Sequence, residues 1–306
     1  MNIRQLHYFL QIAELKSFTR AAAVLHIAQP ALSRSIRGLE EELGVPLFLR
    51  SERGVALNEA GALLKDRAAD LLAGFAQLRD EVAAQAKELS GELAFGMPPS
   101  MQEMVTQPLV RALRAEHPRL LLRLSEGISV ALNEWMQTGK IDVAVVAANE
   151  PLAALAREPL LSEAMYLIGP PKAKLSLRRA VSLDRVAAEP LLVTLRPNSL
   201  RALVEDSLAR AGHRLRPVLE ANSTVVMVSM AAAGEGFTVL PYCAIHAAVR
   251  AKRVSAAPVD GLRVTWSLAY SHERRLSRAG AEWTRLLRHI AADAIERGEW
   301  KSAILA

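Results

Sequence analysis

Along the first third of the chain, apolar residues recur at helical intervals. Ile3, Leu6, Phe9, Leu10 and Ala13 share one helix face, and Ser17 offers a cap for a second helix over residues 19–26. A third helix starts near Gln29-Pro30, because proline in a first turn forfeits no hydrogen bond, and stops at Gly44. Its apolar stripe of Leu32, Ile36, Leu39 and Leu43 turns Ser33, Arg34 and Arg37 toward another face. The stretch VPLFLRSERGVALN, residues 45–58, holds two short extended runs and predicts a β-hairpin with Arg50 and Arg53 near its tip. From Glu59 to Leu89 one long helix is predicted, with Leu64, Ala68, Leu71, Phe75, Leu78, Val82 and Leu89 spaced as a heptad seam. A seam of that length calls for a partner helix, the alternative being a helix buried against its own domain.

After Ser90-Gly91 the pattern changes to short apolar strands that alternate with helical segments, which predicts α/β layers. Strands are expected at 93–96, 120–124, 142–147, 164–168, 191–194, 217–220, 237–240 and 263–269. The intervening helices favour crossover connections and a largely parallel sheet. In sheets of this kind ligands bind beyond the carboxyl ends of strands, where helix N-termini offer N–H groups to anions. Two loops fit. GMPPSMQEM follows the first strand, and Ser100 can present its hydroxyl with the N–H groups of Met101 and Gln102, or serve only as a helix cap. TLRPNSLR follows the fifth, and there Arg196 is either a bidentate partner for a carboxylate, oriented by Thr194 and Asn198, or a surface charge; Ser199 opens the next helix. Ile128, Ser129 and Phe237 are candidates for the remaining lining.

Composition supports this reading. Apolar residues make up 51% of 306 and aromatics 5%, so the interior is built from Ala, Leu and Val. A chain of this length exceeds what one core usually serves. The single Cys243 excludes an internal disulfide, no basic-then-apolar leader is visible, and no apolar run approaches a membrane span, which together lead to the expectation of a cytoplasmic protein. The net charge of +6 invites a nucleic-acid reading, but residues 1–88 carry 11 basic against 11 acidic residues, and 89–306 carry 27 against 21. Global charge therefore does not locate a nucleic-acid site. The proline-rich stretch 170–179 holds four basic residues and reads as a loop.

Catalytic and cofactor motifs do not stand out. The chain has no G-x-S-x-G, G-x-G-x-x-G, Walker or H-E-x-x-H pattern, and its seven histidines are scattered. Neither an enzyme nor a bound cofactor or metal is expected.

On its own, the polar face of the third helix is either a solvated surface or a recognition surface whose hydroxyl and guanidinium groups reach a major groove. The order SFTRAAAVLHIAQPALSRSIRGLEEELGVPLFLRSERGVALNEAG is decisive, for it resembles the winged helix-turn-helix of LysR-type transcriptional regulators. The resemblance rests on Ala21-Ala22, Gln29-Pro30-Ala31-Leu32-Ser33, Leu39-Glu40, Leu43-Gly44, Leu47-Phe48, Arg50, Arg53-Gly54 and Glu59-Ala60-Gly61. It departs from the family's usual pattern at Ala28, Ala56 and Asn58.

By this resemblance Thr19, Arg20, Gln29, Pro30, Ser33, Arg34 and Arg37 face double-stranded DNA, with Arg50 and Arg53 of the wing near the backbone or minor groove. It also implies a homodimer that commonly pairs into a dimer of dimers, and a two-lobed effector domain of the periplasmic-binding-protein type. The expected division is a winged helix-turn-helix over 1–58, a dimerisation helix over 59–90 and an effector domain over 91–306. Its first lobe would comprise 91–162 and 267–306 and its second 163–266. The implied effector is a small anionic metabolite, a carboxylate, in the cleft between lobes. The alternative is a small-molecule-binding protein whose N-terminal segment contacts protein rather than DNA.

Overall fold

Three helices and a hairpin build the N-terminal part of the computed structural model. These are α1 (Ile3–Leu15), α2 (Phe18–Val24), α3 (Gln29–Leu43), β1 (Phe48–Ser51) and β2 (Gly54–Leu57), followed by α4 (Glu59–Ala83). The structure describes residues 1–51, 54–83, 89–147, 155–271 and 276–306, and divides into two units, Met1–Gln85 and Ala86–Ala306.

Capping sets the first helices. Asn2 caps α1 reciprocally with Gln5, and the Ser17 hydroxyl accepts from the Arg20 N–H. Helix α3 has no side-chain cap, since Ala28 stands at that position, and it ends at Gly44 in a left-handed conformation (φ 72°). Phe9, Ile12, Ala21, Leu32, Ile36 and Leu39 are fully buried, and Phe48 closes the cluster against Phe9 and Phe18. Leu43 departs from the predicted stripe: it is 38% exposed, in a run of exposed residues from 41 to 46 where the helix ends. Asn58 leads into α4, its carbonyl oxygen accepting from the Gly61 N–H at 2.8 Å while its amide donates to Pro46 O.

The second unit carries nine strands and seven helices among its described residues. In chain order these are β3 (Gly91–Met97), α5 (Gln107–Glu116), β4 (Leu120–Glu126), α6 (Ser129–Gln137), β5 (Val143–Ala147), β6 (Leu155–Gly169) and α7 (Leu183–Ala187). Then follow β7 (Leu191–Thr194), α8 (Ser199–Arg210), β8 (Pro217–Ala221), α9 (Thr224–Ala233), β9 (Phe237–Pro241), α10 (Tyr242–Arg250), β10 (Ser255–Ser271), α11 (Arg278–Glu296) and β11 (Ile304–Leu305). Sheet order is β4-β3-β5-β10-β6-β9-β7-β8, with β11 beside β6.

The sheet is less parallel than the sequence suggests. β3 pairs in parallel with β4 and β5, and β7 with β8 and β9, but the two longest strands, β6 and β10, run antiparallel to each other. They cross from one parallel group to the other, β10 pairing with β5 and β6 with β9. Burial on both faces of the sheet explains the continuous apolar run of β5. Val143 and Val145 join the core beneath α5 and α11, whereas Ala144 and Val146 join a second cluster beneath α6 with Leu132 and Met136. Among the described residues no helix is long and apolar enough to cross a membrane.

Candidate functional site

Helix α3 separates its faces cleanly. Leu32, Ile36 and Leu39 have no exposed surface, while Gln29, Pro30, Arg34 and Arg37 are exposed and Ser33 is half-buried between them. Arg34 and Arg37, three residues apart, are neighbours on that face. The glutamates that follow do not neutralise them: the Glu40 carboxylate accepts from the Leu47 N–H at 2.8 Å, and Glu42 pairs with the Met1 amino group. Among the described residues neither arginine has a carboxylate partner. A surface carrying two free guanidinium groups beside a hydroxyl and an amide suits phosphates and base edges.

Other expected DNA-facing residues are placed less uniformly. Thr19 is exposed at the start of α2. The Arg20 guanidinium turns back to donate to the Leu15 carbonyl, so it ties α2 to α1. Arg50 pairs with Val55 through the hairpin backbone, whereas its side chain and Arg53 lie outside the described residues.

In the second unit, the ends of three parallel strands are stitched together. The Gly127 N–H donates to Met97 O at 3.1 Å, and the Ala147 N–H to the Ser129 hydroxyl at 3.0 Å. Ser129 is therefore buried and engaged, and Ile128 is half-buried beside it. The loop after β3 forms a 3-10 turn, Pro99–Met101, and a π-helical turn, Gln102–Thr106, before α5. This turn consumes N–H groups that the sequence left free for an anion: Met101 donates to Pro98 O and Gln102 to Pro99 O. Met101 is a core residue with no exposure, Gln102 is exposed, and Ser100 is buried near the Cys243 thiol. Burial and then the neighbouring Glu163 push that thiol well above its ordinary range, which makes it a poor nucleophile.

The loop after β7 is an ion-pair network. Arg196 donates to Glu205 at 2.8 Å; Arg201, buried, donates to Glu205 at 2.8 Å, to Glu220 at 3.0 Å and to the Thr194 carbonyl at 2.8 Å. Hydrogen bonding to Glu220 raises the Arg201 pKa, and although burial opposes it, the two arginines hold the Glu205 carboxyl below the usual range. Asn198 caps α8, accepting from Leu200 and Arg201 N–H groups at 3.0 and 3.2 Å, and Ser199 is buried in the first turn. Two cations thus face two carboxylates, so an anion that reaches the exposed Arg196 competes with Glu205 for it. Phe237 is half-buried against Gly169, where a Cβ would meet its ring at 2.3 Å.

Arg201, Glu205 and Glu220 were not anticipated as members of this site. The i,i+4 spacing of Arg201 and Glu205 on α8 was the available signal. Glu163 left no signal at all. It is fully buried, accepts from Trp266 Nε1 at 2.7 Å, Trp300 Nε1 at 2.9 Å and the Cys243 N–H at 3.1 Å, and burial raises its pKa. These donors join β6, β10, α10 and the segment after α11.

One group of possible metal ligands lies elsewhere among the described residues. Glu116, His117 and Glu282 bring donor atoms within 4.8 Å of one another. Arg285 already serves the two glutamates, donating to both Glu282 oxygens at 2.6 and 2.9 Å and to Glu116 at 3.0 Å, while the His117 ring lies 3.3 Å from Glu282. Arg285 holds the Glu282 carboxyl at about 2.

The comparisons agree with this architecture. Residues 3–62 match the model of the bacterial regulatory helix-turn-helix protein, lysR family, and residues 86–292 match the LysR substrate binding domain. The chain is 32% identical over 276 residues to the nitrogen assimilation regulatory protein nac of Klebsiella aerogenes, covering 90% of each chain. It is 32% identical to the HTH-type transcriptional regulator BbuR of Bordetella bronchiseptica, covering 96% of this chain and 91% of that one. In fold it is similar to full-length OxyR from Pseudomonas aeruginosa (TM-score 0.74, 22% identity, 95% and 94% coverage). It is likewise similar to CbnR complexed with its target DNA (TM-score 0.63, 23% identity, 95% and 100% coverage). This chain belongs to the LysR family and is a DNA-binding transcriptional regulator.

Proposed function

We propose that α3 reads operator DNA through Gln29, Pro30, Ser33, Arg34 and Arg37, assisted by Thr19, Arg20, Arg50 and Arg53, and that a carboxylate effector controls the outcome from the second unit. The observation that carries the DNA assignment is the separation on α3 of a fully buried apolar stripe from exposed arginines without carboxylate partners. One such helix serves one half-site, so the regulator acts as a homodimer joined along α4 and as a dimer of dimers on longer sites. Exposed Leu71 and Phe75 support that pairing. The setting is the cytoplasm.

The effector carboxylate takes Arg196 from Glu205, with Ser100, Gln102, Thr194, Asn198 and Phe237 as its surroundings. Its energetic requirement is plain: it shifts the protein between states only by as much as it binds one better than the other. Screening small mono- and dicarboxylates by thermal shift tests this. A ligand that raises the melting temperature of the native chain and not of Arg196→Ala supports the assignment; a ligand that stabilises both equally removes Arg196 from the site.

A further inference from the structure

The positive charge that the N-terminal unit does not carry has a definite location. Between β6 and α7 the chain presents Lys172, Lys174, Arg178 and Arg179, all exposed, with no acidic residue among residues 170–179. The end of α10 and the residues after it present Arg250, Lys252 and Arg253, also exposed. The ladder brings the two segments together. Gly169 pairs with Ser255, and the Ser255 hydroxyl donates to Pro170 O at 2.8 Å. The far end of the first segment is fixed as well, since the Val181 N–H donates to Pro258 O at 2.9 Å and Val181 bridges to Val259. None of these seven side chains forms an ion pair among the described residues. Seven of the chain's 38 basic residues are gathered in these two short segments.

Two of the lysines occupy backbone where a side chain is disfavoured. Lys174 (φ 52°) follows the turn Pro171–Ala173, and Lys252 (φ 55°) follows α10; glycine is the usual occupant of such positions. The patch also lacks exposed aromatic or large apolar side chains, Leu175 and Leu177 being turned partly inward. Stacking on unpaired bases needs aromatics, and a protein interface needs apolar anchors. A surface dominated by cations, with exposed Glu235 and Asp260 at its margins, fits a regular, dense array of anions, and duplex DNA carries one charge per about 1.7 Å of axis. The chain already holds duplex DNA through its N-terminal unit, which raises the local concentration available to a second, weak contact.

We infer that this patch is a second DNA-binding surface, one that engages phosphates of duplex outside the bases read by α3, without sequence preference. It goes beyond the reading of α3 and does not depend on the effector. Its signature is salt dependence. Each phosphate contact contributes about 0.9 to the slope of log K against log salt.

The test uses the full chain and a random-sequence 60-base-pair duplex, with anisotropy measured from 50 to 200 mM salt. The variant combines Lys172→Ala, Lys174→Gly, Lys252→Gly and Arg253→Ala, in which the glycines relieve the two left-handed positions and so preserve folding. A second variant, Lys172→Gln with Arg253→Gln, repeats the measurement without touching those positions. The slope is expected to fall by about 3.6 in the first variant, which removes four cations, and by about 1.8 in the second, which removes two. Affinity for the random duplex at 50 mM salt should fall at least about tenfold in the first. The ratio of affinities for the DNA upstream of the gene and for the random duplex should stay unchanged. Arg34→Ala, by contrast, should lose that ratio and keep the slope within about one, so failure of the α3 assignment and failure of the patch are distinguishable. Slopes identical to the native chain in both variants overturn the proposal, as does an unchanged slope together with lost binding to poly-glutamate, which would reassign the patch to an acidic protein.

Discussion

Replacing Leu71 and Phe75 by alanine tests whether α4 joins two copies of the chain. In the single chain these residues are 55% and 50% exposed, while Leu64 packs against the N-terminal core and Ala68 is fully buried. The seam therefore splits, its first half facing inward and its next residues facing out. Full burial of a Leu or Phe side chain stabilises by about 1.5–3 kcal/mol, so covering the exposed half of each contributes about 1 kcal/mol. Two-fold symmetry places four such side chains in the interface, for a total of about 4 kcal/mol. At 1.4 kcal/mol per decade, the double variant should weaken dimerisation by about a thousandfold. Sedimentation velocity over a concentration series reads this directly. The variant's own folding should change little, because exposed truncations leave no cavity, whereas Leu64→Ala should lower the melting temperature and spare the dimer. A dissociation constant within threefold of the native chain would refute the pairing of these helices.

Three further outcomes follow from the geometry. Ala28→Ser supplies the cap that α3 lacks and should stabilise the N-terminal unit by about 1 kcal/mol, read by chemical denaturation. Glu163→Ala leaves two indole N–H groups and the Cys243 N–H without their acceptor, each costing about 1–3 kcal/mol, so the second unit should lose more than about 3 kcal/mol. Glu282 titrates at about 2 in the fold against an ordinary 4.5, so its contribution is complete above about pH 4.5 and is lost as pH falls toward 2. After solvent screening this amounts to about 1 kcal/mol, and a urea series between pH 5 and 2 should show a shallower decline for Arg285→Ala than for the native chain.

The legible parts of the fold were those in which local pattern and tertiary packing agree. The 3.6-residue spacing of Leu32, Ile36 and Leu39 places α3 against its neighbours, and the unbroken apolar run of residues 143–147 places β5 between two helical layers. Where local composition opposed the tertiary structure, the reading fell short. β6 begins at Leu155, nine residues before the expected strand, because Ala156, Arg157 and Glu158 do not resemble a strand and are held by the ladder to Tyr270, Ala269 and Leu268. β10 likewise begins at Ser255, its first half obscured by Pro258 and Gly261 at an irregularity in the pairing. In the two loops where the sequence leads one to expect an effector, residue types left the side chains' commitments hidden. Asn198 caps a helix, Ser129 holds β5, and Arg196 is paired with a glutamate nine positions on. Such partnerships depend on which side chains the fold brings within 3 Å, and local spacing carries only the Arg201–Glu205 pair.

DNA recognition by α3 is tested most directly by comparing the full chain with Arg34→Ala on the DNA upstream of the gene and on a random duplex, each at two salt concentrations. The expected result is that the native chain prefers the upstream DNA, that binding to both weakens as salt rises, and that Arg34→Ala loses about 1–3 kcal/mol of the preference while keeping its affinity for the random duplex. Equal affinity for the two duplexes in both proteins would contradict base readout by α3 at this DNA.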